Sequence, residues 1–575
     1  MALTFFYPGN QQVLFTNREF HLGLLDLARE SLLAGQSRHL AFLGPRRLGK
    51  TLLMKEFIQR TLGKEGIVPV YLDCQRAPLT PESFSVYYTG TILFWLLRRG
   101  KGRASAFRDI SFQIKEAATL GPEIADYFYD LDRALKTTPI DQRLLLDQAF
   151  ELPEFLAQTL DQRFMIFIDE FPELLQLSNY PQIGQVTELL RAVLQTQDAT
   201  AYVAAGSAIG MMQAIFYDAA SPLAVHFRAE TLPPFTREDS YILIEKHLRD
   251  AFDSISEGIK LTIHRWSYGH PFYIGAICER LIELTRLQGA PLSAETIKQA
   301  FVLETLWQNG RLANLCRFTL EKSLERARGQ SQLQLILQIV AVEDSGLTLS
   351  ALASELKRST GQTRTLLHRL MEVDLITQDG DLYDFRDPVM KLWAAYYYQG
   401  IELPVIPRQQ VLSQLVTEVS QRYQRISSQL GLARKSQVRE LIAAFDGQEV
   451  PGKLFGGHDH TVRLPTWKLV APHQTPDGQL ELDVVASGDV VWVAEIKWKK
   501  QPARRADLER FQAKVQTTNL PQPAVKAPAT PTLWFIARAG FRESALRYAR
   551  QEGILTSSEQ DLQALAEKLG IRFTK

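Results

Sequence analysis

The sequence predicts a multidomain α/β protein: a parallel-sheet core, a helical segment, a winged helix-turn-helix, and a second α/β unit at the C-terminus. Three observations predict it. Over the first third, short apolar runs alternate with amphipathic helical stretches, the rhythm of a parallel sheet covered by helices. From about 236 to 320 the periodicity is helical throughout, interrupted by SYGHPF (267–272). Near 332 a third pattern begins, short helices followed by an Asp-Gly turn between strand-like arms.

The predicted core strands are HLAFLG (39–44), VPVYLD (68–73), FMIFID (164–169) and AYVAAG (201–206). Such runs suit strands buried on both faces. A long, mostly helical insertion, about 75–160, separates the second from the third. LQLILQIVA (333–341), LSALASEL (349–356) and TGQTRTLLHRLMEVDLI (360–376) predict three helices, and TQDGDLYDF (377–385) the hairpin of a winged helix. GIELPVIPRQ (400–409) reads as a linker, and a last α/β unit contains the Pro-rich loop LPQPAVKAPATPT (520–532). The expected domains are 1–235, 236–325, 326–400, a linker and helix over 401–430, and 431–575.

The bulk numbers mainly exclude. With 575 residues, 45% of them hydrophobic, the chain can bury several cores. Sixty-five basic against 64 acidic residues leave a net charge of +1, so a nucleic-acid surface has to be a local patch. Cys74, Cys278 and Cys316 are too few and too scattered for a disulfide framework or a cysteine zinc site, which fits a reducing compartment. MALTFFYPGN has no leader character, and TGTILFWLL (89–97) falls short of the roughly 20 residues that span a bilayer. A cytoplasmic protein without membrane contact is expected.

GPRRLGKT (44–51) satisfies G-x-x-x-x-G-K-[ST], between a strand and an apolar helix. The backbone of Gly44, Pro45, Arg46, Arg47, Leu48 and Gly49 can cradle the phosphates of ATP, Lys50 can reach the β and γ oxygens, and Thr51 can ligate Mg²⁺. FMIFIDE ends a buried strand in Asp169, expected to hold Mg²⁺ through water, and Glu170, expected to orient or deprotonate the attacking water. An acidic pair capping the next helix is the alternative. Ser207 follows another strand, where it can sense the γ-phosphate, and Arg228 reads as an arginine finger, a domain clamp or a plain salt bridge.

TNREFHLGLL (16–25), GPRRLGKT, FMIFIDEFPEL (164–174), GSAIGMM (206–212), SPLAVHFRAE (221–230) and YGHPFYI (268–274) together resemble the archaeal-type ATPases of the STAND branch of AAA+-related P-loop proteins. The resemblance extends over about 1–400, with YDFRDPVMKLWAAYY (383–397) similar to that family's ending. It implies a nucleotide-dependent switch, with Asn17 and Arg18 near the base and Gly269 and Pro271 in a sensor-like loop. His270 departs from the pattern and receives no role.

In a DNA-reading winged helix the third helix enters the major groove, and Gln362, Arg364, His368 and Arg369 are its candidates here. Glu372, Asp374, Asp379, Asp381 and Asp384 make its end and the hairpin acidic, which would repel phosphates. A lever packed on the ATPase core is the other role for this module.

In ELDVVASGDVVWVAEIKWKK (481–500), Glu481 shares a strand face with Asp483, and Glu495 with Lys497. As neighbouring antiparallel strands, these would let Asp483 and Glu495 share a Mg²⁺ or Mn²⁺ ion, with Lys497 beside it as catalytic lysine. The helix SQVRELIAAF (436–445) carries Glu440, and LERFQAKVQ (508–516) carries Gln512 and Lys514. This order resembles the PD-(D/E)xK nucleases, the restriction-endonuclease-like domains of Holliday-junction-resolvase character, over about 430–560. The resemblance implies Asp483 and Glu495 as metal ligands, Glu440 as a further metal contact, and Gln512 as a positioning residue; Leu482-Asp483 replaces the usual Pro-Asp. Glu481 is a reserve ligand or a surface acid. Between 495 and 514 stand seven basic residues against three acidic ones, an excess suited to phosphates.

Together these readings predict an ATP-binding switch controlling a Mg²⁺- or Mn²⁺-dependent DNA endonuclease, with DNA held by 431–575. An activating partner, and a homo-oligomer or a dimer of nuclease domains, would complete it. The alternative is a regulatory ATPase whose C-terminal domain binds nucleic acid or protein without cutting.

Overall fold

The computed structural model describes residues 14–571 except 65, 219, 328–329, 380, 405–408, 430–431, 457–460, 475–480, 499–500, 519 and 521–529. Lys499, Lys500 and the side chains of Asp379 and Glu481 lie outside the described set. The chain forms two compact units, Met1–Leu232 and Pro233–Lys575.

The first unit runs α1 (Glu19–Leu33), β1 (His39–Leu43), α2 (Lys50–Thr61), β2 (Ile67–Asp73), α3 (Pro81–Arg98), α4 (Ile110–Ala117), α5 (Pro122–Lys136), α6 (Gln142–Leu160), β3 (Arg163–Asp169), α7 (Val186–Leu194), β4 (Thr200–Gly206), α8 (Ile209–Phe216) and β5 (Phe227–Thr231). Its five strands lie in the order β2-β3-β4-β1-β5, every pair parallel. Each of the four apolar runs is a strand, and β1 and β4 are buried at every residue because helices cover both faces. Helices α3–α6 are the predicted insertion. They form no separate lobe: Phe84, Tyr88, Phe128 and Phe150 join the same core as Phe42 and Phe167. Parallel register sets Leu43 opposite Gly206 and Asp73 opposite Asp169, so Gly44, Glu170 and Ser207 leave the sheet along one edge.

The second unit opens with α9 (Arg237–Leu248), α10 (Glu257–Ser267), α11 (Pro271–Gln288), α12 (Ala294–Leu306) and α13 (Arg311–Arg326). Next come α14 (Gln330–Val342), β6 (Leu347–Thr348), α15 (Leu349–Glu355), α16 (Thr360–Glu372), β7 (Ile376–Asp379) and β8 (Leu382–Phe385). The three strands form an antiparallel sheet, β6-β8-β7, as a winged helix-turn-helix requires. Helix α16 stops at Glu372, short of the expected 376. Asp374 turns left-handed (φ 62°) and the Leu375 amide returns to the Leu370 carbonyl, which frees Ile376 for β7.

After α17 (Pro388–Tyr397), residues 405–408 of the expected linker lie outside the described set, and the helix expected within 401–430 is α18 (Gln409–Gln429). Its Tyr423 stacks on Trp266 at 5.2 Å and donates its hydroxyl to the Trp266 carbonyl at 3.0 Å. Arg425 meets Asp344 at 2.7 Å.

The C-terminal part continues with α19 (Leu432–Ala443), β9 (Glu449–Pro451), β10 (Thr461–Arg463), β11 (Trp467–Gln474), β12 (Glu481–Gly488), β13 (Val491–Lys497), α20 (Arg505–Thr517), β14 (Thr532–Ala537), α21 (Glu543–Glu552), β15 (Leu555–Ser558) and α22 (Glu559–Lys568). Strands β11-β12-β13 are antiparallel, and β13-β14-β15 parallel. Helices α19 and α22 pack on one face through Val438, Leu441, Leu562 and Leu565, and α20 and α21 on the other through Leu508, Phe511 and Ala545. Against Ala471 and His473, two residues apart on β11, stand Val485 and Leu482, three apart on β12. That register shift is a bulge, and it contains Asp483. Among the described residues, no helix is long and apolar enough to cross a membrane.

Candidate nucleotide and metal sites

The phosphate loop joins the end of β1 to the start of α2. Gly49, the residue before α2, holds φ 104°, a conformation that a side chain would strain, and the helix N-terminus it opens points its free amides outward. Lys50 donates to the carbonyls of Gly44 at 2.7 Å and Pro45 at 2.8 Å, so the loop's own oxygens hold the ammonium where phosphate oxygens would take it. Arg18 steadies the loop from outside by donating to the Leu48 carbonyl at 3.0 Å.

Asp169 is buried and accepts two hydroxyls on one oxygen, Oδ2: Thr51 at 2.7 Å and Tyr71 at 2.7 Å. Burial raises its pKa, and the Tyr71 and Thr51 bonds pull it back. Both hydroxyl donors are neutral. A buried carboxylate beside the loop threonine fits a hydrated Mg²⁺, which would supply the missing positive charge. Next to it, Glu170 takes a left-handed conformation (φ 50°), which turns the chain off the strand into the short helical turn Phe171–Asn179. Its Oε2 accepts Ser207 Oγ at 2.9 Å and the Ser207 amide at 3.3 Å. The expected carboxylates and Ser207 therefore converge on one edge. Tyr71 was not foreseen; its position at the end of VPVYLD, beside the loop-bearing strand edge, was the available signal.

Arg228 is corrected. Register pairs it with Leu40, near the start of β1, about four residues or roughly 13 Å from the loop end. It is ion-paired with Glu230 at 2.7 Å, the salt bridge that was one of its three readings, and it does not reach its own phosphate loop. In the second unit, Gly269 (φ 69°) accepts the Phe235 amide at 2.8 Å, and an added Cβ would lie 2.1 Å from the Phe235 carbonyl oxygen. That close approach requires the glycine; Pro271 is the first residue of α11.

On α16, Gln362, Arg364, His368 and Arg369 are all exposed. The expected acidic wing is partly a misreading. Asp384 is buried and bonds Lys391 at 2.7 Å, and Asp374 faces Arg386 at 3.5 Å. Neither acid is available to repel a phosphate.

In the C-terminal sheet the bulge lets Asp483 reach across to β13, where its Oδ2 accepts the Ile496 amide at 2.7 Å. Lys435 from α19 meets Asp483 Oδ1 at 2.6 Å, and Arg439, one turn on, donates to the Asp483 carbonyl at 3.3 Å. On the neighbouring strand Glu495 accepts Lys514 of α20 at 2.7 Å. Its Oε2 is buried without a hydrogen-bond partner. Burial and then the Asp483 charge push the Glu495 pKa up to about 7, against the pull of Lys514. An orphaned carboxylate oxygen beside a second carboxylate fits a divalent cation of the Mg²⁺ or Mn²⁺ type.

Four expectations change here. Glu440 does not join the pair: it meets His264 of α10 at 3.3 Å, and among the described residues no three acids, histidines or cysteines could hold one metal. Lys497 bonds Asp507, while Gln512 accepts the Tyr548 hydroxyl at 2.5 Å and donates to Glu552 at 3.0 Å. The basic excess is largely committed, since Arg505 pairs with Glu509 at 2.7 Å and Arg510 with Asp507 at 3.2 Å. Lys435 and Arg439, spaced i and i+4, were legible as one helix stripe; Glu440, about 100° further round, necessarily faces elsewhere.

A parallel sheet, a complete phosphate loop opening α2 and an acid-ended neighbouring strand define a P-loop nucleotide-binding core, here joined to a further α/β sheet domain. The chain is similar to a Walker-type ATPase of Pyrococcus abyssi at 18% identity, with 66% of this chain and 96% of that chain covered and a TM-score of 0.42. It is also similar to the Aeropyrum pernix ORC2 protein (14%; 72% and 99%; TM-score 0.34) and to the Thermotoga maritima RuvB Holliday junction branch migration motor (15%; 68% and 97%; TM-score 0.32). No family model and no curated protein matches the chain.

Proposed function

We propose that this chain is an ATP-binding switch of the STAND type whose nucleotide state controls a metal-dependent DNA endonuclease in its C-terminal sheet. The observation that carries the reading is the Asp483–Glu495 pair at a bulge of an antiparallel-then-parallel sheet, with the buried Glu495 Oε2 left without a partner. Two carboxylates among Lys435, Arg439 and Lys514 are the mixture that phosphodiester hydrolysis requires: oxygens for a divalent cation, and cations for the scissile phosphate. Water would add to phosphorus as the P–O bond breaks, leaving a hydroxyl and a phosphate monoester. A bound Mg²⁺ or Mn²⁺ would supply the Lewis acid. At the other site, Lys50 would take the β and γ oxygens of ATP, Thr51 and Asp169 would hold Mg²⁺, and Glu170, held by Ser207, would orient water.

The test is cleavage of branched, linear and single-stranded DNA with Mg²⁺ or Mn²⁺, with and without ATP. Identical behaviour of wild type and Asp483→Ala on every substrate sinks the nuclease reading. One observation favours a second reading, a regulatory ATPase that does not cut: both carboxylates are already matched by lysines. Under that reading, Asp483→Ala leaves DNA intact and nucleotide binding unchanged.

A further inference from the structure

The acid pair carries its own counter-ions. Lys435 lies 2.6 Å from Asp483 and Lys514 2.7 Å from Glu495, with side chains only 15% and 19% exposed. Two carboxylates and two ammonium groups sum to zero. A divalent cation shared by the same carboxylates would leave a double positive excess in a largely buried space, so the ion and the ammonium groups exclude one another. The helices cannot retreat to resolve this, because Val438, Leu441 and Ile442 pin α19 in the core on one face and Leu508, Phe511 and Val515 pin α20 on the other. Motion is left to the flexible four-carbon lysine stems. Once displaced, both ammonium groups remain beside the place where a phosphodiester would meet the metal.

We propose that Lys435 and Lys514 are exchange cations, which neutralise Asp483 and Glu495 in the metal-free protein and pass to the non-bridging oxygens of a DNA phosphate when a divalent cation replaces them. This rests on the acid pair being the metal site. Lys497 takes no part, since its partner is Asp507. Metal and DNA then bind cooperatively, each strengthening the other by the same factor.

The experiment uses the full chain without nucleotide. Mn²⁺ affinity is read from the electron paramagnetic resonance of free Mn²⁺, with Asp483→Ala as the blank, and a short labelled duplex in Ca²⁺ reports DNA affinity. Lys435→Met and Lys514→Met, which keep the buried stems, are expected to bind Mn²⁺ about 10-fold tighter without DNA and to bind DNA about 10-fold more weakly, opposite signs that follow from the exchange. Lys435→Arg, which keeps the charge, stays at the wild-type Mn²⁺ affinity. If the methionine variants bind Mn²⁺ equally or more weakly and DNA equally well, the lysines are structural ties and the proposal is overturned. If wild type matches the Asp483→Ala blank, the acid-pair reading itself falls, and the proposal with it.

Discussion

Two carboxylate sites in this chain solve the same electrostatic problem in opposite ways. At the phosphate loop, Asp169 is hydrogen-bonded by the neutral hydroxyls of Thr51 and Tyr71, and Lys50 acts on its charge only through space. In the C-terminal sheet, Asp483 and Glu495 are held by ammonium groups, and their charge is cancelled on the spot. Hydroxyls leave a carboxylate ready for a cation, whereas lysines make the cation compete. The first site is prepared before its ligand arrives; the second has to rearrange.

The contrast is easiest to break at the first site. Removing the ammonium in Lys50→Ala should weaken ATP binding by about 100-fold, since a charged donor to phosphate is lost, and fluorescent-nucleotide titration measures it. Asp169→Asn keeps the shape and removes the charge. Nucleotide binding in EDTA should hold while Mg²⁺-dependent turnover falls by about 100-fold; equal turnover would remove Asp169 from the metal site. Tyr71→Phe takes away one donor and leaves the charge, so the Mg²⁺ requirement should rise by about 3- to 10-fold with little change in nucleotide affinity.

The smallest effect tests the second site. A carboxyl whose folded pKa of about 7 exceeds its ordinary 4.5 takes up a proton on folding between those values. Its ionisation therefore costs stability fully above about pH 7 and not at all below 4.5. Glu495→Gln, which imitates the neutral form, should raise the melting temperature by about 2 °C at pH 8 and lose that gain as the pH falls towards 5. A gain that grows on acidification would contradict the assignment.

Strands, the helical segment and the phosphate loop were legible because each depends on local pattern: apolar runs of four to seven residues, and glycines at fixed spacing. What the pattern could not carry was register. Arg228 looked like a finger only because its distance along β1 from the loop is a tertiary fact, and the bulge that turns Asp483 towards Ile496 exists only once β11 and β12 are paired. Asp384 counted as surface charge because nothing local announces that Lys391, in the first turn of α17, reaches back to it. Likewise, a linker and helix over 401–430 could be read from the prolines and the polar pattern after them, but not the packing of Tyr423 on Trp266, which joins residues 157 positions apart.

That last contact bears on modularity. Helix α18 is bound by Tyr423 to Trp266 and by Arg425 to Asp344, and Glu440 of the following helix is bound to His264. A fragment beginning at 431 leaves the Tyr423 and Arg425 contacts intact in the other piece, but it strands the Glu440 carboxylate, whose partner His264 stays behind. Any recombination that exchanges the C-terminal sheet for another cargo therefore has to supply a new partner for the buried His264.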